Sequence, residues 1–149
     1  MEKSLFIQDV IFKLSGKQIT KTIVGGSNGS IIILRIGINE FSFKVNCVWR
    51  LEMKNQMITG WNESNDSLNG VMTKEIKRLN GDTIKSVKMS DFFDLQLEFS
   101  SGKVLNIFCD VTPNYEPSDY DENWSLCDIK SNDCKIISKD FAIITTTYT

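Results

Sequence analysis

The chain repeats itself, in order, along its length. "IFKLSGKQI" at residues 11–19 is echoed by "IKRLNGDTI" at residues 76–84. Ile11 matches Ile76, Leu14 matches Leu79, Gly16 matches Gly81 and Ile19 matches Ile84, all at an offset of 65. Ile32, Leu34 and Ile36 then correspond to Leu95, Leu97 and Phe99 at an offset of 63, and Val45 and Cys47 to Ile107 and Cys109 at 62. Finally "WRL" at 49–51 corresponds to "WSL" at 124–126, at 75. The offset drifts only where turns are expected, until the last step, where the second copy gains 13 residues. Such a chain is constrained to two like units whose apolar faces bury one another. A single domain over residues 1–149 is expected, with pseudo-repeats at about 5–62 and 70–149. This length suffices for a true core.

The units read as β-meanders. "SIIILRIG" and "EFSFKVNCVWRLEM" are rich in the β-branched and aromatic residues that a pleated, half-buried surface favours. In the second, read as one strand, Phe41, Phe43 and Val45 alternate with Ser42, Lys44 and Asn46. "DLQLEF" alternates strictly, and "SSG" turns it into "KVLNIFCDV", a hairpin. The glycines of "GGSNGS" (25–30) fit a hairpin turn better than a phosphate cradle, because no strand–loop–helix with a following Lys-Ser/Thr accompanies them. Met72, Ile76 and Leu79 share one helical face and Gly81 stops it, predicting about two turns over 71–79. Residues 7–16 fit a similar short helix or a first strand. "FAIITTTYT" predicts a last strand, for which an edge is one placement. The fold class expected is therefore mainly β (a β-rich α+β): two antiparallel meanders forming a sandwich or half-barrel, with one or two short helices.

Composition narrows the chemistry. There is no histidine, which removes Ser-His and Cys-His nucleophile activation, histidine bases and histidine metal ligands together. No enzyme activity and no cofactor are expected. A net charge of −2 lacks the concentrated basic face that nucleic acid needs. The one basic stretch, Lys74 to Lys88, reads as the solvated side of a short helix and its following strand. No apolar run approaches the ~20 residues of a spanning helix. "MEKSLFIQDVIFKL" carries Asp9 and Lys13 inside its apolar stretch, unlike a signal peptide, so a cytoplasmic protein is expected. Cys47, Cys109, Cys127 and Cys134 include no CxxC pair and read as small buried or half-buried strand residues rather than disulfides.

The added residues of the second copy fall in "DVTPNYEPSDYDENWSLCD" (110–128). This run holds six acidic residues, no basic ones, both prolines, and two of the three tyrosines. A scaffold that reaches Trp49 directly from Cys47 has no need of it, and function tends to sit on such loops. Tyr115, Glu116, Asp119, Tyr120, Asp121 and Glu122 are the candidate partner-binding residues: tyrosines give rigid contact area, and acids steer a basic partner. "DYDEN" offers oxygen ligands but does not match a calcium loop, and no metal site is expected. A glycosidase-like acid pair needs a cleft that a flexible loop does not provide. Trp124, paired with Trp49, reads as core.

The pattern "LNG…I…DLQLEFSSGKVLNIF…DENWSL", covering mainly residues 79–126, resembles immunity proteins encoded beside bacterial polymorphic or contact-dependent toxins. The resemblance implies a non-catalytic inhibitor that binds a cognate toxin domain and blocks its active or substrate-binding surface. It further implies that acids such as Asp119, Asp121 and Glu122 stand in for phosphates toward a basic nuclease. The alternative is a small β-rich ligand-binding or accessory module of unknown target.

Overall fold

The structure is a computed structural model that describes residues 2–61, 70–110, 122–138 and 142–148. Its elements run α1 (Glu2–Ile11), β1 (Ile19–Ile23), β2 (Ile32–Ile36), β3 (Phe41–Val45), β4 (Val48–Met53), β5 (Gln56–Gly60), α2 (Val71–Lys77), β6 (Ile84–Met89), β7 (Leu95–Phe99), β8 (Lys103–Phe108), β9 (Glu122–Asp128), β10 (Asp133–Ser138) and β11 (Ile143–Thr146). Among the described residues eleven strands form two antiparallel sheets, which do not close into a barrel: β1-β2-β3-β9-β10-β11 and β5-β4-β8-β7-β6. Mainly β is thus the observed class, and residues 7–16 take the helical alternative, α1 running into a short 3-10 turn at Phe12–Leu14.

Each half gives three strands to one sheet and sends the rest across to the other: β4 and β5 from the first half, β9, β10 and β11 from the second. Alternation explains the burial. Ile32, Leu34 and Ile36 face the core on β2, as Leu95, Leu97 and Phe99 do on β7. One cluster of buried side chains draws on both sheets, with Ile7, Ile11 and Leu14 from the first helical segment and Met72 and Ile76 from α2 closing it.

The sequence offsets recur in the hydrogen bonding. Leu34 faces Phe43 as Leu97 faces Leu105. A register shift falls between Ile19 and Lys21 on β1 and between Ile84 and Ser86 on β6. The two turns that open the meanders zip to each other. Gly16 N–H donates to Ile84 O (2.7 Å), Gly81 N–H to Ile19 O (2.8 Å), Ile19 N–H to Asp82 O (2.8 Å) and Ile84 N–H to Lys17 O (2.8 Å). Gln18 bridges Thr83 between them. Both glycines sit at positive φ, 82° and 87°, where a side chain is strained.

The run Phe41–Met53 is two strands, not one. It leaves the six-stranded sheet after Val45 and enters the five-stranded sheet at Val48. Phe41, Phe43, Val45, Cys47, Trp49 and Leu51 are all buried, so the odd positions face the shared core throughout while the backbone changes sheet. Trp49 and Trp124 are both core residues. Trp49 Nε1 donates to Ser30 O (2.8 Å) and Trp124 Nε1 to Phe93 O (2.9 Å), acceptors again 63 apart.

The cysteines differ from expectation in one pair. Cys127 and Cys134 face each other across β9 and β10 and form a disulfide, while Cys47 and Cys109 remain free. The pairing follows from register, since a tight turn brings two positions of a hairpin opposite one another. Loop closure this short is worth about 2.5 kcal/mol at most. Reduction, or the double change Cys127→Ser with Cys134→Ser, is expected to lower Tm by roughly 5–10 °C. Thermal unfolding with and without reductant reads the difference, and an unchanged Tm would show that the hairpin is closed by its ladder alone.

Candidate functional site

The strands that change sheets converge at one end of the sandwich. In the first half the crossing takes residues 46–47, and in the second it takes residues 109–121. Asn46 N–H and Cys47 N–H both donate to Asn123 O (2.8 and 3.1 Å). Asn123 itself is fully buried. Its Oδ1 accepts from Asp110 N–H (2.9 Å), and its Nδ2 donates to Asp110 O (3.2 Å) and more weakly to Ser138 O (3.4 Å). One amide side chain therefore ties together the two stems of the acidic–aromatic run, Asp110 and Glu122. Cys109 N–H is anchored on Asp94 Oδ1 (2.7 Å).

Of the six candidate partner-binding residues only Glu122 is described; Tyr115, Glu116, Asp119, Tyr120 and Asp121 lie outside the described residues. Glu122 opens β9, its carboxylate 3.3 Å from Lys44 Nζ and hydrogen-bonded by Asn46 Nδ2. Its charge is thus partly engaged within the chain, at the rim of the six-stranded sheet.

The flank on the five-stranded sheet is apolar. Val48 and Phe108 sit opposite each other in register, 51% and 38% exposed, with Met57 at 57% beside them. The Arg50 guanidinium lies over the Phe108 ring at 4.9 Å, a cation–π contact. Together with Gly60 and Trp61 these residues line an open depression of about 400 Å³. By the offsets of 75 and 62, Val48 corresponds to Asn123 and Phe108 to Asn46. The same paired site therefore carries two asparagines in the other sheet. The fold does not require an exposed apolar pair there.

The flank on the six-stranded sheet is polar. Cross-strand register places Arg35, Ser42, Cys127, Cys134 and Thr146 in one row, and Ile33, Lys44, Ser125 and Ile136 in the next. These rows floor a groove of about 290 Å³, closed on one side by Tyr148. The Arg35 guanidinium donates to Tyr148 Oη and lies 5.8 Å from its ring. Sequence alternation marks Ser42 and Lys44 as outward-facing, but nothing in it brings Tyr148 to Arg35.

Cys109 offers little nucleophilic chemistry. A hydrogen bond with Cys47, then burial, pushes the Cys109 thiol far up, and its Sγ also donates to Phe93 O (3.1 Å). It stays protonated at neutral pH, and the thiolate is the reactive form. Among the described residues no group of three or more Cys, Asp or Glu side chains is arranged to hold a metal ion, and no helix is long and apolar enough to cross a membrane. Comparisons with protein-family models, with curated proteins and with solved structures found no match to this chain.

Proposed function

We propose that this chain is a non-catalytic inhibitor of the immunity-protein type, binding a cognate toxin domain and covering its active or substrate-binding surface. The observation that supports this is the exposed Val48–Phe108 pair, where the equivalent site of the other sheet holds Asn123 and Asn46. An apolar centre of Val48, Met57 and Phe108 with an arginine beside it has the composition of an interface core. The acidic run that leaves β8 just beyond Phe108 supplies the charged rim, suited to a basic partner such as a nuclease domain. Electrostatic steering fits this division: the acids speed encounter, and the apolar pair slows release.

The test is affinity for a toxin domain encoded beside this chain, measured for the wild type and for the charge reversal Asp119→Lys, Asp121→Lys, Glu122→Lys. The wild type is expected to bind at one-to-one stoichiometry and to restore growth of cells expressing the toxin. The triple variant is expected to bind at least about 100-fold more weakly, each close opposite-charge pair contributing on the order of 1 kcal/mol or more. Unchanged affinity removes the acidic run from the interface, and growth arrest despite stoichiometric wild type removes the inhibitor reading. A second reading, a small ligand-binding module, draws on the Arg35–Lys44 groove and predicts that Arg35→Ala weakens binding of a small anion.

A further inference from the structure

The two sheets have four edges, β1 and β11 on one and β5 and β6 on the other. An edge strand presents unpaired amides and carbonyls, and proteins blunt such edges with bulges and with lysine. Three of the four edges are blunted here. On β1 the register shifts between Ile19 and Lys21, and on β6 between Ile84 and Ser86, leaving Thr20 and Lys85 without a ladder partner. On β5 the shift against β4 leaves Ile58 unpaired. β1 also carries Lys21, and β6 carries Lys85 and Lys88.

β11 has none of these devices. Its pairing with β10 runs unbroken from Ile143↔Ile137 to Thr146↔Cys134. No charged residue occurs from Ala142 to Tyr148. Ile144 is 48% exposed. Ser138 N–H donates to Ala142 O, so the even-numbered residues of this strand address β10. Antiparallel ladders alternate, and the N–H and C=O of Ile143 and Thr145 therefore point to the free side.

We propose that β11 is a self-association edge: it pairs antiparallel with β11 of a second copy about a dyad at Thr145, joining two six-stranded sheets into one. At this register Thr145 exchanges both hydrogen bonds with its counterpart. Ile144 lies opposite Thr146 of the second copy, and inner and outer faces stay matched because partners share parity. A two-fold axis makes the contact self-complementary and closed. The occupant is a second copy because the edge offers no charge with which to select an unlike strand, while self-pairing sets no like charges face to face. Among the described residues, the lysine that pairs beside this edge is Lys135, on the adjoining strand, held by Asp133 (3.2 Å) and Thr145 Oγ1 (3.1 Å). Its counterpart would lie three strand spacings away, about 14 Å, beyond the ~8–10 Å screening length. This proposal does not depend on the inhibitor reading.

Sedimentation velocity of the pure protein over a wide concentration range tests it, with Thr145→Pro and Ile144→Lys as variants. Proline at residue 145 deletes an outward N–H and no bond to β10. Lysine at 144 sets two like charges near the dyad from an already exposed position. The wild type is expected to dimerise with concentration, and both variants to dimerise at least tenfold more weakly. Exchange of the Thr145 amide in the wild type gives a second reading that needs no variant: it slows as concentration rises. A wild type that stays monomeric throughout overturns the proposal and leaves the edge to an unlike strand. So does a dimer whose Thr145 amide exchanges at the monomer rate.

Discussion

Trp124→Ala is expected to lower stability by about 3–5 kcal/mol, the range for removing a fully buried large aromatic side chain. Trp124 is 1% exposed, and its ring meets Phe43 at 5.8 Å between centroids. Its indole N–H holds the Phe93 carbonyl, which also accepts from Cys109 Sγ. Phe93 is itself fully buried and sits at a φ of 69°, where a bulky side chain is disfavoured. Losing the indole therefore opens a cavity and loosens a strained residue at once. A domain of ordinary stability has only about 5–15 kcal/mol to lose, so the variant will be partly unfolded at moderate denaturant. Trp124→Phe separates the two effects: it keeps most of the volume and forfeits the hydrogen bond, which is worth about 1 kcal/mol on its own. Urea unfolding followed by the fluorescence of the remaining tryptophans measures all three proteins. A Trp124→Ala cost below about 1 kcal/mol would mean that the indole is not a core element.

Alternation made the hairpins legible. Leu95, Leu97 and Phe99 carry their burial in plain period-two order, and the turn at 100–102 has the residues a turn requires. The same regularity hid the crossing of strands between sheets. From Phe41 to Leu51 every second residue is apolar and every one is buried, because the core lies on the same side of the chain before and after it changes sheet. A period-two pattern reports which face is wet, not which sheet the strand has joined. The partners of β3 and β4, namely β9 and β8, are likewise invisible to local pattern, being set by how two halves bury each other. The Cys127–Cys134 bond rests instead on the register of the β9–β10 hairpin, which cysteine spacing alone did not mark. At the candidate site the run of acids was conspicuous in composition, whereas the Val48–Phe108 pair was not. An exposed valine and phenylalanine at the start and end of strands look like core until the faces are known.

Asn123→Val tests whether the crossing is held by chemistry or by strand propensity. Valine is the residue at the equivalent position of the first half, Val48, and is the better strand former. Propensity alone, a scale spanning about 1 kcal/mol, predicts a stabilised β9. The hydrogen bonds predict the reverse. Asn123 Oδ1 is the acceptor for Asp110 N–H, and Nδ2 serves the carbonyls of Asp110 and Ser138. A buried polar group that loses a hydrogen bond costs about 1–3 kcal/mol, and here three bonds from one side chain are lost together. The weaker bond at 3.4 Å and the exposure of Asp110 soften the loss. A net destabilisation of about 2–3 kcal/mol is expected, larger than any gain from propensity and opposite in sign. The effect should be local first. Amide exchange at Asp110 should accelerate more than exchange in β7, because the stem opens before the sheet does. In the inhibitor reading the same variant weakens partner binding beyond its effect on stability, since it releases one stem of the acidic run while leaving every acid in place. Wild-type protection at Asp110 together with raised stability would assign Asn123 to strand packing and leave the acidic run to position itself.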